Sequence, residues 1–199
     1  MGILFWTVLA SLVRESKRNS GFGQMIVTSM FTSKFFGEEE RYLVNDVSFN
    51  IHGNDHVIDH ILVYHKGLFM MNVVHINGTV KGEANQNVWE VTYGGQVMEL
   101  PNPLIKLILP LKQAYILVGN GHVPHPIVVF TNENKPEGAG KNVINFSELK
   151  DYIINFPKDE QLTSEQMQEL YMVFKNYKDN NLGPTKEDDK SVDDDKHSK

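Results

Sequence analysis

The sequence predicts an α/β or α+β domain, a mixed β-sheet of about five strands flanked by helices. Three observations predict it. Two apolar runs rich in β-branched and aliphatic residues, Val57–Tyr64 and Leu68–Ile76, are separated only by the turn-like stretch His65-Lys66-Gly67. A second pair of strand-like runs flanks Gly94-Gly95. Segments with helical spacing stand before, between and after the strands.

At the N-terminus, Met1–Val13 is almost wholly apolar, and Arg14, Glu15, Lys17 and Arg18 follow it. A bilayer-spanning helix needs roughly 20 apolar residues, so this run is short for a crossing. A secretory signal carries its positive charge before the apolar run rather than after it. Three readings stay open: a shallow membrane anchor through Gly2–Val13, a helix docked on the domain or on a partner, and a signal peptide. Basic residues after the run favour the cytoplasmic side of a membrane, so a cytoplasmic location is expected, with or without a tether at the N-terminus.

From Gly23 to Phe36, Met25, Ile26, Met30 and Phe31 have the spacing of an amphipathic helix. Tyr42–Ile51 alternates imperfectly and reads as a strand. Trp89–Tyr93 and Gln96–Leu100 form a hairpin, because both glycines between them tolerate positive φ. A helix is expected from Asn102-Pro103, with asparagine as cap and proline in the first turn, to about Val118. Pro110 inside it should kink or split it. Pro126–Phe130 suits a short buried strand. Ser147 is positioned to cap a helix through Phe156, and Thr163–Gln166 forms a capping box for a last helix carrying Met167, Leu170, Tyr171 and Phe174. The chain then turns polar and ends in a charged stretch containing Asp193-Asp194-Asp195, which reads as disordered. The expected organisation is an apolar segment with a basic linker over 1–20, a domain over 21–178 and a disordered charged tail over 179–199.

Composition sets limits on function. Hydrophobic residues make up 41% and charged residues 22%, the globular range. The net charge of -6 gives no global attraction to phosphates, so any nucleic-acid contact needs a local basic patch. There is no cysteine, which excludes a disulfide framework, a thiolate zinc site and a cysteine nucleophile.

An aspartate inside the otherwise apolar run Val57-Ile58-Asp59-His60 is costly to bury unless it is paired or holds a metal. That tetrapeptide, with Gly67-Leu68-Phe69, Gly78-Thr79-Val80-Lys81-Gly82, Trp89 and Asn102-Pro103-Leu104 in order, resembles the NERD (nuclease-related) domain of the PD-(D/E)xK nuclease superfamily. Ile127–Phe130 and Leu162-Thr163 also look like family elements, and the resemblance runs from Gly21 to about Tyr177. It implies a restriction-endonuclease-like core. It also implies a site in which two carboxylates on adjacent strands hold a divalent metal, usually Mg²⁺, and a lysine two residues after the second carboxylate shares its face.

Carried over residue by residue, the resemblance implies a degenerate active site. Asp59 is present, the one carboxylate left as a weak metal ligand. Asn72 stands where the family has the glutamate of its E-x-K, Val74 where it has the lysine, and Gln24 at the helix glutamate. Mg²⁺ needs anionic oxygen, which three neutral side chains do not supply. Lys106, at the start of the helix after Asn102-Pro103, is a candidate for a relocated lysine. Glu38, Glu39, Glu40 and Glu83 are alternative carboxylates only if Gly37-Glu38 is the family's Gly-Glu pair, which leaves too few residues for the first helix.

His52, His56, His60, His65 and His75 crowd the same region but read as turn and edge residues. Trp89, Tyr93 and Phe69 read as core rather than as base-stacking platforms. The expectation is a pseudoenzyme that binds DNA, RNA or a protein partner without cutting, and that uses no cofactor. The alternatives are a divergent Mg²⁺-dependent nuclease using Asp59 and Lys106, and an interaction module with no nucleic-acid role.

Overall fold

The computed structural model describes residues 21–33, 37–119, 121–157 and 161–181. The Met1–Val13 segment and the charged tail beyond residue 181 lie outside them.

Helix α1 covers residues 21–32. Strands β1 (Arg41–Ile51), β2 (Asn54–Tyr64) and β3 (Gly67–Val74) follow as an antiparallel meander. Next come β4 (Thr79–Lys81), β5 (Val88–Tyr93) and β6 (Gln96–Pro101), then α2 (Pro103–Val118), β7 (Pro124–Phe130), β8 (Val143–Asn145), α3 (Phe146–Ile154) and α4 (Ser164–Asn181). The main sheet has the order β1-β2-β3-β7-β8, with β7 parallel to β3 and β8 parallel to β7. This is the expected mixed sheet of five strands flanked by helices, consistent with a restriction-endonuclease-like core. The Gly94-Gly95 hairpin, with both glycines at positive φ, belongs instead to a separate three-stranded sheet, β4-β5-β6.

Period-two alternation divides the core in two. Phe69, Met71 and Val73 point to one face of the sheet, where α1 supplies Val27, Met30 and Phe31 and α3 supplies Leu149 and Ile153. Leu68 and Met70 point to the other, where they meet Leu107 and Ala114 of α2 and Leu170 and Phe174 of α4. Val80, Trp89 and Val91 of the small sheet extend this second core. β3 and β7 are covered on both faces, which explains their nearly unbroken apolar sequences.

Several boundaries differ from the sequence reading. The first helix ends by Thr32, short of Phe36, and residues 34–36 lie outside the described set. Pro110 does not split α2, which runs unbroken from Pro103 to Val118 with Pro110 buried on its core face. Proline costs one N–H there, and packing of the apolar face outweighs that loss. Ser147 does not cap α3. Asn145 does, in a capping box with Glu148, while the Ser147 hydroxyl donates to Glu133 at 2.5 Å. The Thr163–Gln166 box is present: Gln166 N–H donates to Thr163 Oγ1 at 3.3 Å and Thr163 N–H to Gln166 Oε1 at 2.9 Å. α4 continues to Asn181, three residues past the expected domain end at 178.

Candidate functional site

Alternation fails at one place in both β1 and β2. Val44 and Val47 lie in the same core, as do Ile58 and Ile61, although residues three apart on a regular strand face opposite ways. The register pairs Asn45 with His60 and Val47 with Ile58, leaving Asp46 and Asp59 opposite one another without ladder pairing. Asp46 has φ 52°, a left-handed conformation that aspartate adopts more readily than most residues. On the other side, β2–β3 pairing also begins only at His60–Met71. The backbone at Asp59 therefore leaves both ladders, and its carboxylate is free to turn toward the end of the sheet.

That carboxylate is held by two donors. Val73 N–H donates to Oδ2 at 2.7 Å, and Gln24 Nε2–H on α1 donates to Oδ1 at 2.5 Å. α1 approaches this closely because residue 23 is glycine. A Cβ there would sit 3.0 Å from Val73 Cγ1 and 3.2 Å from Thr131 Oγ1. Burial is the largest influence on the Asp59 carboxyl and raises its pKa. The Val73 and Gln24 donors and the more distant charge of Lys106 pull it down, while Asp46 adds to the rise.

Asn72 adjoins the site, its Oδ1 accepting from Asp59 N–H at 3.5 Å. Val74 is half-buried and packs on the α2/α4-side core. Gln24, Asp59 and Asn72 thus come together, the charge of Lys106 acts on Asp59 from the exposed side of α2, and Val74 is a packing residue.

By sequence, His60 and His75 read as turn and edge residues and Lys178 has no part, but His60 is buried on an interior strand and all three adjoin the site's elements. His60 is 1% exposed, and its Nδ1–H donates to Asn45 Oδ1 at 2.8 Å. Lys178 of α4 donates to the Asn45 carbonyl at 2.7 Å, with no carboxylate in ion-pair distance among the described residues. His75 Nδ1 lies 2.7 Å from Thr131 Oγ1, where β3 and β7 end. The one advance signal was the imperfect alternation of Tyr42–Ile51. Trp89 and Phe69 are core, as expected, whereas Tyr93 is 54% exposed.

Burial pushes the His60 imidazole down to about 4 from 6.5, a contact with the Gln24 backbone opposing the shift. The unfolded chain therefore takes up this proton first as pH falls. The stability that neutral His60 contributes is complete above pH 6.5 and is lost as pH drops toward 4, on the order of 3 kcal/mol in all. Thermal melts across that range should show a steep fall for the native chain and a shallower one for His60→Gln. Equal slopes would remove His60 as the cause.

The donor set does not suit a divalent cation. Both Asp59 oxygens already accept hydrogen bonds, and Gln24 and Asn72 bring no charge. Among the described residues, no group of three or more His, Asp or Glu could hold a metal ion.

The pattern of the nuclease-related domain matches residues 27–131, more than half of the chain. The chain belongs to the nuclease-related domain family. The match spans β1 to the end of β7 and contains Asp59, Asn72, Val74 and Lys106. Gln24, α3 and α4 lie outside it. No curated protein and no solved structure matches the chain. Among the described residues, no helix is long and apolar enough to cross a membrane.

Proposed function

We propose that this nuclease-related domain protein is a pseudoenzyme that binds nucleic acid without cleaving it. One observation carries the reading: the Asp59 carboxylate, the one acid at the positions where the family's site residues stand, is engaged by the Gln24 amide and the Val73 N–H. Phosphodiester hydrolysis on this fold needs anionic oxygen to hold the cation and a positive group to stabilise charge on the phosphate. Asn72 and Val74, standing at the family's glutamate and lysine, supply neither. Binding needs less. Lys106 on the exposed side of α2, whose charge acts on Asp59, and Lys178 on α4, which donates to the Asn45 carbonyl, are the positive groups a phosphate would use here.

The second reading, a divergent nuclease, draws on the same Lys106 as a relocated lysine acting beside Asp59. The test covers both. Incubated with plasmid DNA, single-stranded DNA and RNA in Mg²⁺ or Mn²⁺, the protein should leave every substrate intact. It should also be retained on immobilised nucleic acid at low salt and released as salt rises. Cleavage that disappears in Asp59→Ala and Lys106→Ala would establish the second reading instead. Absence of retention even at low salt would point to a protein partner instead.

A further inference from the structure

Helix α2 is apolar around nearly its whole circumference. Pro103, Leu107, Pro110 and Ala114 line its buried face. At 100° per residue, Ile105, Ile108, Leu109, Lys112 and Ile116 line the opposite one. Ile116 is 69% exposed, Ile108 45% and Leu109 40%. Beside them, Leu111, Lys112, Tyr115, Ile116, Val123 and Pro124 border a shallow groove of about 450 Å³. A helix that is hydrophobic on all sides is ordinarily buried on all sides. Among the described residues, the domain covers only one side of α2.

We propose that the chain's own Met1–Val13 segment covers the outer face of α2. The segment carries no charged side chain, and the α2 stripe carries one, Lys112, so no charge opposes the contact. Wound as a helix, 13 residues span about 20 Å, close to the roughly 24 Å of the 16-residue α2. The connection reaches. The first described turn of α1 lies where β3 and β7 end, since position 23 abuts Val73, His75 and Thr131, and α2 lies across the same two strands on the other face of the sheet. Residues 14–20 extend up to about 25 Å, enough to round the end of those strands.

Two other occupants fit less well. A second copy of the chain competes against a tethered segment whose effective concentration is of millimolar order. It would also bring Lys112 near its own image in a symmetric α2–α2 contact. A bilayer that took up the segment would leave Ile108, Leu109 and Ile116 of α2 facing solvent.

The chain's two tryptophans make the test direct. Trp6 lies in the segment, and Trp89 is fully buried in the core, so acrylamide quenching of the intact protein reports on Trp6. In dilute, lipid-free, monomeric protein, Trp6 should be shielded. The Leu109→Asp, Ile116→Asp double variant changes two solvent-facing positions, and circular dichroism checks that its fold is kept. It should raise the quenching constant severalfold.

The proposal is overturned if Trp6 in the intact chain quenches as freely as in an isolated peptide of residues 1–20. It is equally overturned if shielding appears only at concentrations where the protein sediments as a dimer, which identifies a second copy. Shielding only after phosphatidylglycerol vesicles are added identifies a bilayer and overturns it as well.

Discussion

The Gln24→Glu, Asn72→Glu double variant should melt at a temperature that depends on Mg²⁺, whereas the native chain should not. The change places two carboxylates beside Asp59 and removes the amide that now donates to its Oδ1. Without metal, three acids in a largely buried site repel one another, and the fold should lose on the order of 2–3 kcal/mol at neutral pH. With metal, the repulsion becomes affinity, because Mg²⁺ is held by clustered anionic oxygens. At a hundredfold excess over Kd, binding restores about 2.7 kcal/mol, or roughly 5–10 °C for a domain of this size. Thermal melts of both proteins with and without Mg²⁺ make the comparison. A native chain whose melting already rises with Mg²⁺, and loses that response on Asp59→Ala, would refute the proposed function.

Gly82→Ala should be among the most destabilising single substitutions in the molecule, costing about 3 kcal/mol or more. An added Cβ would overlap the Trp89 indole, lying 2.7 Å from Nε1 and closer still to ring carbons. The indole has nowhere to go. It is fully buried, stacks on Phe130 at 6.2 Å and donates from Nε1 to the Glu83 carbonyl at 2.8 Å. The damage should spread to α2, whose buried cap Asn102 is fastened to the same loop by donation to the Ala84 and Gln86 carbonyls at 3.2 and 2.6 Å. Its Oδ1 accepts from Leu104 N–H at 2.9 Å, so a shifted loop pulls on the start of the helix. Gly21→Ala is the control, since a Cβ there meets nothing within 4 Å among the described residues. Urea denaturation of the two variants should separate them clearly, and matched midpoints would show that the loop yields.

The parts legible in advance share a property: their signals lie within a few residues. Gly94-Gly95 announces its hairpin through backbone freedom, and Asn102-Pro103 and Thr163–Gln166 announce helix starts through side chains that reach the next turn. Asp59 stood out because a carboxylate within an apolar strand demands a partner, and the structure supplies two. The short strands β4 and β8 passed unnoticed, since three residues carry no period, and they are strands only through their neighbours.

By itself, the sequence determined the longer helical and extended segments and the singular character of Asp59, and its ordered motifs carried the resemblance to the family. These depend on local backbone preference and on side-chain order along one strand or helix. Only the tertiary structure decided that the strands divide into two sheets, that β7 lies parallel to β3 and that Pro110 sits within one helix. It alone showed that Gln24 donates to Asp59, 35 residues away, and turned the chain at Asp46 so that both neighbouring ladders open there. Such pairings are chosen by which apolar faces bury each other, and that choice exists only once distant segments are in contact.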